Sequence, residues 1–229
     1  MKLNHIRHVF FDLDHTLWDF DRNSALTFRK IFELNQIDVK TEDFIKIYEP
    51  LNLKYWKLYR EDRISKENLR YRRLKDTFNS LEVEIEDEVV NKLSIDYIKF
   101  LTTFNHLFVG TVELLNYLSV NYKLHIITNG FGEAQTRKLS NSQLIDYFQT
   151  ITNSEMVGVK KPNPRIFYSA LEKAKAGKEE SIMIGDSLEA DIEGALNVGM
   201  DAIFFNFRKK SVNYGIKNVE SLEDIKLFL

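Results

Sequence analysis

Four short runs of β-branched and aromatic residues, each stopping at a polar, acidic or glycine-containing stretch, constrain this chain more than any other feature. They are His8 to Phe11, Lys123 to Thr128, Ser181 to Ile184 and Asp201 to Phe205. Such runs read as buried strands that end at the carboxyl edge of a parallel sheet, the edge where open α/β sheets place their ligands. Helical patterns lie between them. Val112, Leu115 and Leu118 share one face, and Ile166, Phe167, Ala170, Leu171 and Ala174 share another. The alternation predicts one parallel sheet wound with right-handed crossovers. Pro164 suits the first turn of its helix, and Gly199 suits the stop after a helix that starts near Glu189.

The segment from about Ser24 to Asn105 breaks this alternation, because it is charged, rich in aromatics, helical in pattern and without a strand run. We read it as a helical insertion between the first and second strands, entered near Phe20 to Ser24 and left near Asn105 to Gly110. The expected organisation is a core of residues 1–22 plus 107–229 and an inserted helical domain of residues 23–106. At 229 residues the chain is long enough for both. All three prolines (Pro50, Pro162 and Pro164) are expected outside long helices.

Composition narrows the function classes. A charged fraction of 29% beside a hydrophobic fraction of 44% is that of a soluble globular protein. The net charge of -2 gives no general attraction for nucleic acid or an anionic membrane, so an anionic substrate must be caught locally. The absence of cysteine excludes a disulfide, a thiolate nucleophile and a cysteine metal site, and it suits a reducing cytoplasm. The start, MKLNHIRHVFFDLD, does not read as a signal peptide, and no stretch approaches the roughly 20 apolar residues of a membrane span.

Four polar groups follow the predicted sheet elements. Asp12 and Asp14 are two residues apart, so both can face one side of a strand end. Two carboxylates on one face repel, and a divalent cation or a shared proton stabilises them. An all-oxygen set favours magnesium. The same pair can also simply end a strand or cap a helix. Thr128, Asn129 and Gly130 offer a hydroxyl, an amide and a flexible backbone N–H to an anion, or merely make a turn. One ammonium of Lys160-Lys161 can neutralise phosphate charge, although lysine pairs are commonly solvated surface. Asp186 and Asp191, beside Gly185, supply further acids at a strand end, and Asp186 equally reads as a helix cap.

Together these groups carry a resemblance. DLDHT at 12–16, TNG at 128–130, KKP at 160–162 and GDSLEAD at 185–191 match, in order, the four motifs of the haloacid dehalogenase-like hydrolase superfamily. The resemblance spans nearly the whole chain. It implies a Rossmann-like doubly wound parallel-sheet α/β core with an inserted helical cap that closes over the site and selects the substrate. It further implies Asp12 as nucleophile and magnesium ligand, and Asp14 as general acid–base with its backbone carbonyl on the metal. Thr128, Asn129 and Gly130 would bind phosphate, Lys161 would stabilise charge, and Asp186 would complete the metal site with Asp191 supporting it. Asp14 argues against the dehalogenase branch, which typically lacks that second acid, and the missing membrane spans argue against ion pumps.

Within the family, WDFDRNSALTFRKIFE at 18–33 and WKLYREDRISKENLRYRRL at 56–74 are similar to non-canonical pyrimidine nucleotide 5′-nucleotidases. That implies a small phosphorylated metabolite, a nucleoside monophosphate, as substrate. Trp18, Trp56 and Tyr59 are then candidates for stacking on a base, and Arg60 and Arg63 for meeting phosphate, against the plainer reading of core aromatics and surface arginines. Phosphosugar phosphatase and phosphosugar mutase are the alternatives. A catalytically silent binding protein is the different-class alternative, and the full set of acids with Lys161 argues against it. His15 and His125 have no metal-ligand partner at helical spacing, and structural roles are expected for them.

Overall fold

The computed structural model describes residues 2–212 and 215–229. β1 (His8–Phe11) is followed by four helices, α1 (Phe20–Leu34), α2 (Thr41–Arg60), α3 (Lys66–Ser80) and α4 (Asp87–Leu101). The chain then runs through α5 (Thr111–Ser119), β2 (Lys123–Thr128), α6 (Gly132–Asn141), β3 (Phe148–Asn153), the short α7 (Ser154–Val157) and α8 (Pro164–Ala174). It ends with β4 (Ser181–Gly185), a wide π turn (Leu188–Glu193) that runs into α9 (Gly194–Asn197), β5 (Asp201–Phe205) and β6 (Asn218–Val219). The chain divides into two units, one formed by residues up to Phe20 with Asn105–Leu229, the other by Asp21–Phe104.

All six strands are parallel, in the order β3-β2-β1-β4-β5-β6. This is the strand order of a doubly wound Rossmann-type sheet, in which β1 sits at the point where the winding reverses. Phe10, Ile127, Met183 and Phe204 pack from the strands against Ile166, Phe167, Ala170 and Leu171 of α8. Asn163 caps α8 through a bond from Arg165 N, with Pro164 in the first turn.

The structure corrects the sequence reading in three places. Among the described residues the sheet has six strands where four were expected. β3 reads FQTITN, and as an edge strand it buries only part of its length, so it lacks the apolar run that marks β1, β2 and β4. Val112 does not share the buried face of α5 but is 40% exposed, because Thr111, Leu114, Leu115 and Leu118 form the inward stripe. Pro50 lies inside α2, at an exposed position. A proline there removes one intrahelical N–H donor, and the solvent-facing carbonyl it orphans is left to water.

In the helical unit, Phe28 is the hub of the core. Its ring lies 4.6 Å from Tyr48 and 4.8 Å from both Phe44 and Tyr97, all of them buried. Burial of aromatics of this size supplies most of what orders four otherwise charged helices.

His8 and His125 are both buried in the sheet. His8 Nδ1 lies 3.0 Å from His125 Nε2, whose other ring nitrogen lies 2.8 Å from Thr150 Oγ1. The imidazole of His125 also stacks on Phe10 at 4.6 Å. Burial, with help from His8 and Lys123, pushes His125 down to about 4, so the folded state keeps it neutral while the unfolded chain protonates it near 6.5. The unfolded state therefore binds more protons between these values, and stability falls as pH falls through that window. Urea unfolding from pH 7 to 4 is expected to show this slope, and His125→Gln is expected to flatten it by up to one proton, or about 1.4 kcal/mol per pH unit. An unchanged slope in the variant would remove His125 as its source.

Candidate active site

The site grows from the end of β1. The Asp12 N–H donates to Ile184 O at 2.9 Å, so the sheet ladder holds this residue from the side of β4. The chain then folds sharply. The N–H groups of Thr16, Leu17 and Trp18 converge on Leu13 O, at 3.3, 3.0 and 2.9 Å, and His15 adopts a left-handed φ of 64°. The tight loop fixes where Asp14 projects.

Lys161 is the centre of the charged cluster. The side chain is 2% exposed, and Nζ lies 2.6 Å from Asp12 Oδ1, 2.6 Å from Asp191 Oδ1 and 2.7 Å from Ile127 O. Burial alone would lower the ammonium's proton affinity, but Asp12 and Asp191 outweigh it and hold Lys161 above its ordinary value. The Asn129 side chain fixes the backbone at this point, with Oδ1 accepting from Lys161 N at 2.7 Å and Nδ2 donating to Lys161 O at 3.0 Å. Asn129 thus positions the lysine with the amide that the sequence reading offered to phosphate.

Carboxyl oxygens of Asp12, Asp186 and Asp191 lie within 4.8 Å of one another. Ser187 N donates to Asp191 Oδ2 at 3.0 Å, and the π turn after β4 carries Asp191 back toward the strand end. Burial is the main force that pushes Asp12 up to about 7, opposed by Lys161 and aided by Asp191 and Asp14. Asp186 is raised well above the carboxylate range by burial, then by Asp191 and Asp12. One ammonium faces three carboxyls, so the cluster carries excess negative charge in low dielectric. A divalent cation fits that excess, and the all-oxygen donor set fits a hard ion.

Asp14 stands outside the three-carboxyl cluster and is held by two residues that sequence reasoning missed. Lys138 Nζ lies 2.5 Å from Asp14 Oδ1, and Gln135 Nε2 donates to Asp14 Oδ2 at 3.0 Å. Both come from α6, three residues apart and buried, and buried polar side chains at i and i+3 are the signal that could have found them. Gln135 Nε2 also donates to Thr128 Oγ1 at 2.7 Å, and Gly130 N donates to the same oxygen at 3.0 Å. A hydroxyl has two acceptor sites and one proton. With both acceptor sites filled, Thr128 can only donate, which is the polarity an anion requires. The Gly130 N–H is committed to this bond rather than offered outward.

The remaining candidates are placed as follows. Trp18 is 0% exposed, with Lys138 Nζ 4.4 Å from its ring centre, so burial leaves no face for a base and corrects the stacking expectation. Trp56 is half-buried on α2, with the Tyr59 ring edge-on at 5.7 Å. Arg60 is half-buried at the end of α2, and exposed Arg63 pairs with Glu61 at 3.2 Å. His15 packs between Phe20 and Phe207.

This is the fold and acid–lysine arrangement of a phosphoryl-handling α/β hydrolase, and sequence comparison agrees. The chain belongs to the haloacid dehalogenase-like hydrolase family, whose profile matches residues 9–205. It is 33% identical to the pyrimidine 5′-nucleotidase YjjG of Escherichia coli over 225 residues, covering 96% of both chains. It is 30% identical to a glyceraldehyde 3-phosphate phosphatase of Pyrococcus abyssi, covering 89% of this chain and 83% of that one. The crystal structure of the HAD-hydrolase YfnB of Bacillus subtilis, bound to magnesium, superposes with a TM-score of 0.87 at 27% identity over 97% of each chain. Among the described residues no helix is long and apolar enough to cross a membrane.

A side chain at Gly130 would collide with the Gln135 amide, and its Cβ would come within 2.9 Å of Gln135 Cγ. Gly130→Ala and Gln135→Leu therefore break the same bridge between Thr128 and Asp14. Each is expected to lower kcat/KM for p-nitrophenyl phosphate by about 10-fold, and the double variant little further, since residues that act as a unit are non-additive. Fully additive losses in that cycle would show that the bridge does not act as one.

Proposed function

We propose that this protein is a magnesium-dependent phosphomonoester hydrolase that works through an aspartyl-phosphate on Asp12, with nucleoside 5′-monophosphates as its substrates. The observation that carries the reading is the buried Lys161 ammonium pinned between Asp12 and Asp191 at the end of β1. Asp12, Asp186 and Asp191, with the Asp14 carbonyl, would hold the cation. When bound, magnesium supplies charge neutralisation that lets an anionic nucleophile approach an anionic ester.

The chain's own residues do the rest. An Asp12 carboxylate oxygen forms a bond to phosphorus as the bond from phosphorus to the leaving oxygen breaks, and Asp14 gives that oxygen its proton. Water then attacks phosphorus, Asp14 takes a proton from it, and the bond to Asp12 breaks to release inorganic phosphate. Lys161 keeps the Asp12 carboxylate oriented and offsets charge, while the Thr128 hydroxyl donates to a phosphoryl oxygen. Lys138 and Gln135 hold Asp14 and, in doing so, align it with Thr128. The similarity to YjjG supports the nucleotide reading, and the similarity to a glyceraldehyde 3-phosphate phosphatase makes phosphosugars the second reading.

Comparison of kcat/KM across nucleotides and phosphosugars separates the two substrate classes. Asp12→Asn is expected to abolish turnover while remaining folded. Activity is expected to vanish with EDTA and to return with magnesium but poorly with calcium, whose larger shell misplaces ligands. Sustained turnover by Asp12→Asn, with reversion to Asp excluded by mass spectrometry, would overturn the nucleophile. Full activity in metal-free protein would overturn the cation. Asp14→Asn is expected to cost an alkyl phosphate more than p-nitrophenyl phosphate, because only the former leaves as a strongly basic oxyanion.

A further inference from the structure

The chain that leaves β5 makes a tight loop at the carboxyl edge of the sheet. Buried Asn206 closes it with both ends of its amide, Oδ1 accepting from Lys210 N at 2.8 Å and Nδ2 donating to Lys210 O at 2.8 Å. Lys209 N donates to Asn206 O at 2.9 Å, and Lys209 takes a left-handed φ of 52° to complete the turn. Asn129 fixes Lys161 with the same pair of bonds. What the Asn206 loop holds in place is Arg208, which is half-buried. Its guanidinium lies over the Phe207 ring at 4.8 Å, and Nη2 lies 3.5 Å from Nδ1 of His15, the residue next to Asp14. Across β4 and β5, Gly185 pairs with Phe204, so the loop begins alongside Asp186. Burial, then Asp191 and Asp12, push Asp186 up, and Arg208 opposes them more strongly than Lys161 does.

A count of charge shows what such a cation can do. Ionised Asp12, Asp186 and Asp191 are matched by the Lys161 ammonium together with one divalent cation, and the Lys138 ammonium is already paired with Asp14. A phosphomonoester arrives close to a dianion, and its charge is then left without an equal. Resting on the phosphatase reading above, we propose that Arg208, held by the Asn206 loop, is a further phosphate-binding residue that offsets the charge of the phosphoryl group from the Asp186 side of the site. A planar guanidinium suits phosphate oxygens, and a cation already fixed by the fold loses little on meeting the anion. The placement also explains His15. It keeps a left-handed φ of 64°, which glycine would adopt without strain, yet its ring packs between Phe20 and Phe207 and so ties the loop that carries Asp14 to the loop that carries Arg208.

The test measures binding without turnover. Magnesium is titrated calorimetrically into wild type, Arg208→Met, Arg208→Gln and Arg208→Lys, and inorganic phosphate is titrated into the same proteins saturated with magnesium. Removing a positive charge that lies close to both ligands acts on them with opposite sign. Arg208→Met and Arg208→Gln are each expected to bind magnesium about 3-fold more tightly and phosphate about 5-fold more weakly. Arg208→Lys, which keeps the charge but not the planar fork, is expected to match wild type for magnesium and to fall between for phosphate. With p-nitrophenyl phosphate, kcat/KM of the two uncharged variants is expected to drop about 10-fold. Weaker binding of both ligands would make Arg208 a support of the loop and overturn the inference. Unchanged phosphate binding in a folded variant, or no phosphate binding by wild type, would overturn it as well. Wild type and variants that show the opposed shifts while wild type hydrolyses no phosphomonoester would keep Arg208 and end the phosphatase reading. Wild type that hydrolyses p-nitrophenyl phosphate at a rate the uncharged variants match would do the reverse.

Discussion

The contact between the Lys161 ammonium and the carboxylates of Asp12 and Asp191 is the interaction on which the rest of the site depends. Asp12 and Lys161 are 149 residues apart in the chain, and their 2.6 Å contact is buried. Neither ion is tolerable there alone, because removing one partner of a buried pair leaves an uncompensated charge that costs several kcal/mol. The Ile127 carbonyl and the Asn129 amide fix the lysine from β2, so the pair can form in only one place. The charge balance is deliberately incomplete. One ammonium cannot neutralise Asp12, Asp186 and Asp191, and burial first, then the repulsion among the acids, raises the proton affinities of Asp12 and Asp186. A bound cation would remove the need for those protons.

Topology explains why these groups meet. β1 pairs with β2 on one side and β4 on the other, and the next connections leave in opposite directions from their ends. A crevice at the carboxyl edge is the geometric result. The β2 side delivers Thr128 and, through α6, Gln135 and Lys138. The β4 side delivers Asp186 and, through the π turn, Asp191. That wide turn allows Asp191 to reach the strand end, and Gly185 makes room for it, since a Cβ there would come within 2.7 Å of the Asp191 Cβ and collide with its carboxylate.

How much of this was legible depended on how strongly each residue's environment restricts residue type. β1, β2 and β4 are buried strands in the middle of the sheet and so appear as apolar runs, and the polar groups at their ends, acids after β1 and β4, stand out by contrast. β3 was not legible because an edge strand such as FQTITN keeps polar residues where one face meets water, and β6 is only two residues long. Gln135 and Lys138 were hidden for another reason. Polar residues on a helix are ordinarily its solvated face, and only the knowledge that α6 turns this face inward toward Asp14 makes them functional. Pro50 misled because its exposed position lets α2 continue through a residue that usually ends helices.

Among the described residues Lys161, Lys138 and Arg73 are buried cations, and the surroundings of Lys161 and Arg73 differ in kind. Lys161 is over-compensated, set among three carboxyls, and its surroundings call for more positive charge. Arg73 is under-compensated, with one amide oxygen and two ring faces, and its surroundings call for acceptors. A stable protein has no reason to keep either imbalance for its own sake, since each raises the free energy of the folded state. The imbalance around Lys161 becomes favourable once a cation supplies the missing charge, and the acids involved then bind it more strongly than pre-satisfied groups would. That imbalance is matched by a divalent cation with a phosphoryl group. Stability withheld in the empty protein is thereby converted into affinity and selectivity in the loaded one.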